Sequence, residues 1–176
     1  MNIELKSFKH YERLSDETNC FTANIYVNGI KCGTAENRGF GGETDYSSDG
    51  RMGSIELIKQ AEQYCLGLPS ETIVIGDRTI TIDMNFCSYI DNLVDEMVKA
   101  KYKEKDAQIL RKKMQKAILI GTEEKYREIG FKMPLKEVWQ NHPDYFKQVL
   151  HDKLGLYAKD GYRLLNTNIP QQYLPS

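Results

Sequence analysis

The stretch RGFGGETDYSSDG, from Arg38 to Gly50, packs Gly39, Gly41, Gly42 and Gly50 together with Glu43, Asp45 and Asp49. Glycine-rich loops present backbone N–H groups to phosphate, whereas carboxylates repel it. A phosphate loop needs its Lys-Ser/Thr directly ahead of a helix, so that amides and helix N-terminus hold the anion together. Here Gly42 is followed by Glu43-Thr44-Asp45-Tyr46, and the next helical pattern starts only near Ser54. Glu43, Asp45 and Asp49 could offer oxygens to Ca²⁺, but the EF-hand spacing and its final bidentate Glu are absent. We therefore expect a mobile surface segment with no phosphate, metal or cofactor of its own. Its best contact residues are Arg38, Phe40 and Tyr46, an arginine flanked by aromatics that can stack on a base or fill a partner's pocket.

The thiols and imidazoles are scattered. Cys20, Cys32, Cys65 and Cys87 form no C-x-x-C pair, and His10, His142 and His151 lie far from one another in the chain. Without paired spacing they predict reduced, partly buried thiols rather than a zinc site or a Cys–His nucleophile. Neither G-x-S-x-G nor H-E-x-x-H occurs, and the expectation is a protein that binds rather than catalyses.

The strongest chemical signal is a basic run. Lys99, Lys101, Lys103, Lys105, Arg111, Lys112, Lys113 and Lys116 stand against Glu104 and Asp106, a local excess of six positive charges in a chain whose net charge is −1. Segregated charge of this kind gives a helix surface along which phosphates can sit. Tyr102 lies among the lysines and can stack on an unpaired base. The alternative is a partner helix, pairing with another protein or with a second copy through Met97, Leu110, Met114 and Ile118.

These residues must be positioned by a small number of elements. In FTANIYVNGIKCGTAE the Asn28-Gly29 pair predicts a two-residue type I′ hairpin. Val27 should then face Ile30, Ile25 face Cys32 and Ala23 face Thr34, with Phe21, Ala23, Ile25, Val27, Ile30 and Cys32 on the core side. A second hairpin, TIVIGDRTITI, turns at Gly76-Asp77 and pairs Ile75 with Arg78 and Ile73 with Ile80. Residues 3–14 read as a further strand. Between the hairpins a helix starts at Ser54, buries Ile55, Ile58, Ala61, Cys65 and Leu68, and stops at Gly67-Pro69. A long helical pattern covers about 86–120, with Phe86, Tyr89, Ile90, Leu93, Val94, Met97 and Val98 on its apolar stripe. Ala107, Leu110, Met114, Ala117 and Ile118 resume that stripe after a polar stretch, KAKYKEKD, which either projects into solvent or breaks the helix. A shorter helix covers about 144–156, entered at His142-Pro143, and a turn at Asp160-Gly161 leads to a short strand and a tail. The fold class is α+β, an antiparallel sheet of β-hairpins packed against helices with one long, partly basic helix. At 176 residues a single domain is expected, a hairpin sheet over about 1–84 and a helical part over about 85–176.

The run CFTANIYVNGIKCGTAENRGFGGETDY resembles small uncharacterised proteins encoded by bacteria, their phages and mobile elements. The resembling positions are Phe21, Ala23, Tyr26, Asn28, Gly29, Lys31, Gly33, Asn37, Gly39, Gly41, Gly42 and Tyr46. The resemblance covers about a sixth of the chain and brings no activity with it. It implies an accessory role in a bacterial or phage-infected cell, a pool that supplies anti-defence proteins, including CRISPR inhibitors. No apolar run approaches the roughly 20 residues that span a bilayer, and the first residues lack the apolar stretch of a secretory signal. We expect a cytoplasmic protein whose partner is RNA or a nucleoprotein effector complex.

Overall fold

The structure, a computed structural model, describes residues 1–175; at Glu71, Ile73, Ile75, Arg78 and Lys159 it describes the backbone alone. The fold is α+β, with four helices and antiparallel sheets of four, three and two strands. The chain divides into two compact units, Met1–Lys101 and Tyr102–Ser176.

In the first unit β1 (Ile3–His10), β2 (Phe21–Val27), β3 (Ile30–Asn37) and β4 (Asp45–Ser48) form a sheet in that order. Asn28 and Gly29 both take positive φ, 51° and 81°, as a type I′ turn requires. Val27 faces Ile30 as the sequence predicts. A bulge after Tyr26↔Lys31 then shifts the register, so that Ile25 faces Gly33 and Ala23 faces Ala35, in place of Cys32 and Thr34. The bulge inserts Cys32 as an extra residue, fully buried. It also brings Gly33 under the Ser47 carbonyl of β4, where any Cβ would overlap. Phe21, Ala23, Ile25 and Val27 are buried as expected, while Ile30, at the turn, is 55% exposed rather than in the core.

Helix α1 (Met52–Leu66) lies against β2, β3 and β4 and buries Ile58, Ala61 and Cys65. Ser54 is not its cap. It sits inside the first turn, buried, and Ile55 is exposed. The residue before the helix is Arg51, whose guanidinium bonds Asp49 and the Lys31 carbonyl. Those hydrogen bonds from Arg51, joined by one from Ser54, hold the Asp49 carboxyl well below the usual carboxylate range. The hairpin of β5 (Glu71–Ile75) and β6 (Arg78–Ile82) has the predicted pairing, Ile73 with Ile80 and Ile75 with Arg78, and Gly76 at φ 60°. It forms its own two-stranded sheet, separate from the main one. The expectation for the side chains of Ile73 and Ile75 falls outside the described residues, and Val74, Ile80 and Ile82 are exposed.

In the second unit β7 (Ala117–Gly121) is the central strand, flanked by β8 (Tyr126–Gly130) and β9 (Arg163–Leu164). This corrects the reading of Ala117 and Ile118 as helical. All five residues of β7 are buried. Ile118 and Ile120 pack with Leu135, Val138 and Trp139 of α3 (Leu135–Asn141) and with Phe146 and Leu150 of α4 (Pro143–Tyr157). On the other face Ala117 and Leu119 pack with Met114 and Leu165. A strand covered on both sides loses its alternation, so its apolar run reads equally well as helix. Pro143 occupies the first turn of α4, where it has no N–H to lose.

Candidate nucleic-acid interface

The basic run lies on α2 (Phe86–Met114), one uninterrupted helix of 29 residues and about 43 Å. Asn85 caps it, its side-chain oxygen accepting from the Ser88 N–H at 2.8 Å. The first turns bury Phe86, Ile90, Val94 and Val98. From Lys99 to Lys113 no residue is buried, and only Tyr102, Ala107, Leu110 and Lys113 are half-buried. KAKYKEKD therefore stays helical in solvent. It is supported along the helix by Gln108 donating to Glu104 (3.2 Å), by the Arg111–Glu104 ion pair (3.3 Å) and by Lys105 over the Tyr102 ring (5.8 Å).

The helix ends where two asparagines take its last carbonyl. Asn166, buried on the segment after β9, donates through Nδ2 to the Met114 and Ala117 carbonyls, and its Oδ1 accepts from the Leu119 N–H at 2.6 Å. Asn168 donates to the same Met114 carbonyl at 2.9 Å. Arg111, Lys112 and Lys113 fall in the final turn, the negative end of the helix dipole. Lys116 lies beyond the helix, in the turn into β7.

The positive charges ring α2, but not evenly. Lys101, Lys105, Gln108 and Lys112 recur at i, i+4, i+7 and i+11, which confines them to about 60° of arc and a rise of about 16 Å. Lys99, Lys103, Asp106 and Leu110 lie on the opposite side. Lys113 is engaged elsewhere: it pairs with Glu128 at 3.1 Å and stands over the Tyr126 ring at 5.1 Å, and its pKa is raised by Tyr126 and then Glu128. Among the described residues, Lys99, Lys101, Lys103, Lys105, Lys112 and Lys116 meet no carboxylate within ion-pair distance. Charge also separates along the chain. The N-terminal unit has ten Lys/Arg and sixteen Asp/Glu, a net −6, and the C-terminal unit fourteen and nine, a net +5. The basic run stands out in the sequence, whereas this division emerges only from the charge of residues 102–176 as a whole, through Lys125, Arg127, Lys132 and Lys136.

The helix face suited to protein pairing is less open than expected. Met114 and Ile118 are buried in the C-terminal unit and cannot meet a partner, and Met97 and Leu110 are half-buried.

The Arg38–Gly50 segment is more built than a solvated crossing. Asn37, buried at its start, accepts through Oδ1 from the Gly39 N–H (2.8 Å) and the Thr18 hydroxyl (2.9 Å), and donates through Nδ2 to the Gly42 carbonyl and the Thr44 hydroxyl. Thr44 passes the chain on to Asp91 of α2 through a short bond at 2.5 Å. Burial, then the charges of Asp95 and Glu43, raise the Asp91 pKa, and only the Thr44 hydroxyl opposes them. The Gly39 carbonyl accepts from the N–H groups of Asp16 and Glu17. Tyr46 belongs to β4: its ring stands edge-on to Phe86 at 4.8 Å and its hydroxyl donates to Glu62 at 2.6 Å. It thus serves the fold, whereas Phe40 is 71% exposed and Arg38 is exposed beside it. No sequence signal marked Asn37, Thr44 and Asp91 as a set, because the bond to Asp91 joins residues 47 apart.

The four cysteines are free. Burial pushes the Cys65 thiol up to about 11 and raises Cys32 and Cys87 as well, so at neutral pH they are protonated. Among the described residues no group of three or more His, Cys, Asp or Glu converges as a metal site requires, and no helix is long and apolar enough to cross a membrane. No protein-family model matches the chain, and no significant similarity to a curated protein or a solved structure was found.

Proposed function

We propose that this protein is a non-enzymatic accessory factor that binds nucleic acid, or an RNA–protein defence complex, through the exposed basic face of α2. One observation carries the reading: Lys101, Lys105 and Lys112 stand along one face of a solvent-exposed helix with no carboxylate neutralising them. Helix rise sets them about 6 and 10 Å apart, and each can displace a condensed counterion from a phosphate backbone. Tyr102, half-buried on the same helix, adds an aromatic face. The resemblance of the Cys20–Tyr46 run to mobile-element proteins supports an anti-defence, CRISPR-inhibitor-like role in the cell that carries it.

The test is equilibrium binding to single-stranded RNA, to duplex DNA and to a guide-RNA effector complex at low and moderate salt. Affinity for at least one should fall steeply with salt. K101E/K105E/K112E should lower the slope of log K against log salt by about 2–3. Absence of binding to all three, or unchanged binding by the triple variant, overturns the proposal.

A further inference from the structure

We propose that the basic face of α2 also docks on the acidic N-terminal unit of a second copy of this chain, so that self-association and phosphate binding compete for one helix face. The regulatory half of this statement rests on the nucleic-acid reading above; the docking half does not.

Charge complementarity within one sequence is the first argument. A unit of net −6 and a unit of net +5 occur in every copy, so any two copies offer each other opposite surfaces, and attraction between them steers encounter. The acid is also locally concentrated. A cleft of about 450 Å³ in the N-terminal unit is lined by Asp16, Glu17, Asp91 and Asp95, and no lysine or arginine is among its described lining residues. Asp91 and Asp95 sit one helical turn apart on α2, while the backbone N–H groups of Asp16 and Glu17 donate to the Gly39 carbonyl at 3.0 and 3.1 Å. Asp91 accepts only from Thr44 and Asp95 only from Asn19 among the bonds described, both uncharged donors. Four acidic residues therefore line one cleft with no cation among its described lining residues, an arrangement that attracts a positive charge.

Spacing is the second argument. Lys101 and Lys105 are separated by one helical turn, about 6 Å, and so are Asp91 and Asp95. Two α2 segments from different copies can thus set ammonium against carboxylate in register, with Lys112 reaching further along the acidic unit. The cation-bearing residues and the acid-bearing residues are different sets, so the contact is heterologous.

The test is sedimentation velocity on the full chain over a range of concentrations at low and high salt. At low salt the weight-average mass should rise with concentration to at least twice the 20.3 kDa of one chain, and high salt should return it to one chain because exposed charges are screened. D16K/E17K alone and K101E/K105E alone should each remain monomeric. Mixing the two variants should restore association, since the first retains its basic helix and the second its acidic cleft. A monomer at every salt concentration, an oligomer indifferent to these substitutions, or failure of the mixed variants to associate overturns the proposal. Capture of spermidine by a monomer that never self-associates would also overturn it, by assigning the cleft to a small polycation. An oligonucleotide that binds should dissolve the wild-type assembly. Assembly in a protein that binds no nucleic acid would refute the functional reading and leave the docking intact, whereas nucleic-acid binding by a strict monomer would do the reverse.

Discussion

Asn166→Ala isolates the residue that joins the end of α2 to the central strand of the C-terminal unit. Asn166 is 9% exposed. Its loss leaves the Leu119 N–H without its 2.6 Å acceptor and withdraws a donor from the Ala117 carbonyl, while the Met114 carbonyl keeps Asn168. A buried polar group stripped of its partner costs about 1–3 kcal/mol, so two of them predict a loss of roughly 2–4 kcal/mol. For a unit this small, that corresponds to a fall in Tm of roughly 10–30 °C. Asn168→Ala is the control, because Asn166 still serves Met114, and it should cost under about 1 kcal/mol. The assay is urea unfolding followed by the emission of Trp139, the single tryptophan of the chain, 8% exposed in the core of the same unit. A loss for N166A below about 1 kcal/mol, or one equal to that of N168A, would refute the account of how this helix stops.

Gly39→Ala should destabilise by about 2 kcal/mol or more, because Gly39 has φ +88° and a Cβ there would overlap the Leu14 carbonyl oxygen. Gly42→Ala, with nothing within 4 Å of its Cβ position, should stay within about 0.5 kcal/mol; paired thermal melts compare the two. Burial, and then the hydrogen bond and charge of Glu62, hold the Tyr46 phenol above the ordinary tyrosine range. The folded state thus keeps a proton that the unfolded chain releases near pH 10, so stability should fall as pH rises through about 10; denaturation midpoints against pH should be flatter there in Tyr46→Phe. Burial, then the charges of Asp95 and Glu43, raise the Asp91 pKa. Its raised pKa makes the folded state bind a proton before the unfolded chain does, so this group's contribution to stability grows as pH falls through the folded value towards about 3.9. Asp91→Asn, which retains an acceptor for Thr44, should raise the urea midpoint at neutral pH and abolish that dependence.

The local features of the fold were legible because local chemistry sets them. Asn28-Gly29 and Gly76-Asp77 fix two hairpin turns, Pro143 opens α4, and the apolar stripe of Phe86, Ile90, Val94 and Val98 declares the buried part of α2. What escaped depends on distant partners. The bulge at Cys32 leaves Gly33 under β4, and nothing within Ile30–Asn37 announces that fourth strand. Ala117 and Ile118 follow Met114 at helical spacing, and only the cover on both faces of β7 makes them a strand. The basic residues of the candidate interface were visible as a run, but their alignment depends on α2 remaining continuous through KAKYKEKD. Tyr46 reads in sequence as a contact residue beside Arg38 and Phe40 and is instead tied to Glu62 and Phe86.

From Lys99 to Ile109, α2 is kept wound by its own backbone ladder and a few side-chain pairs, whereas Leu110 packs on the core of the C-terminal unit. Opening there needs no core to separate, so its free energy is that of a local helix–coil transition rather than of global unfolding. Four of these eleven residues are Lys, each a trypsin site. A protease acting on the native protein should therefore nick this run first, at a rate set by how often the helix frays. The division into residues 1–101 and 102–176 then becomes a bond that can be cut. Any phosphate polymer lying along the lysines should slow that cut, which makes the lifetime of the intact chain under trypsin a direct readout of occupancy.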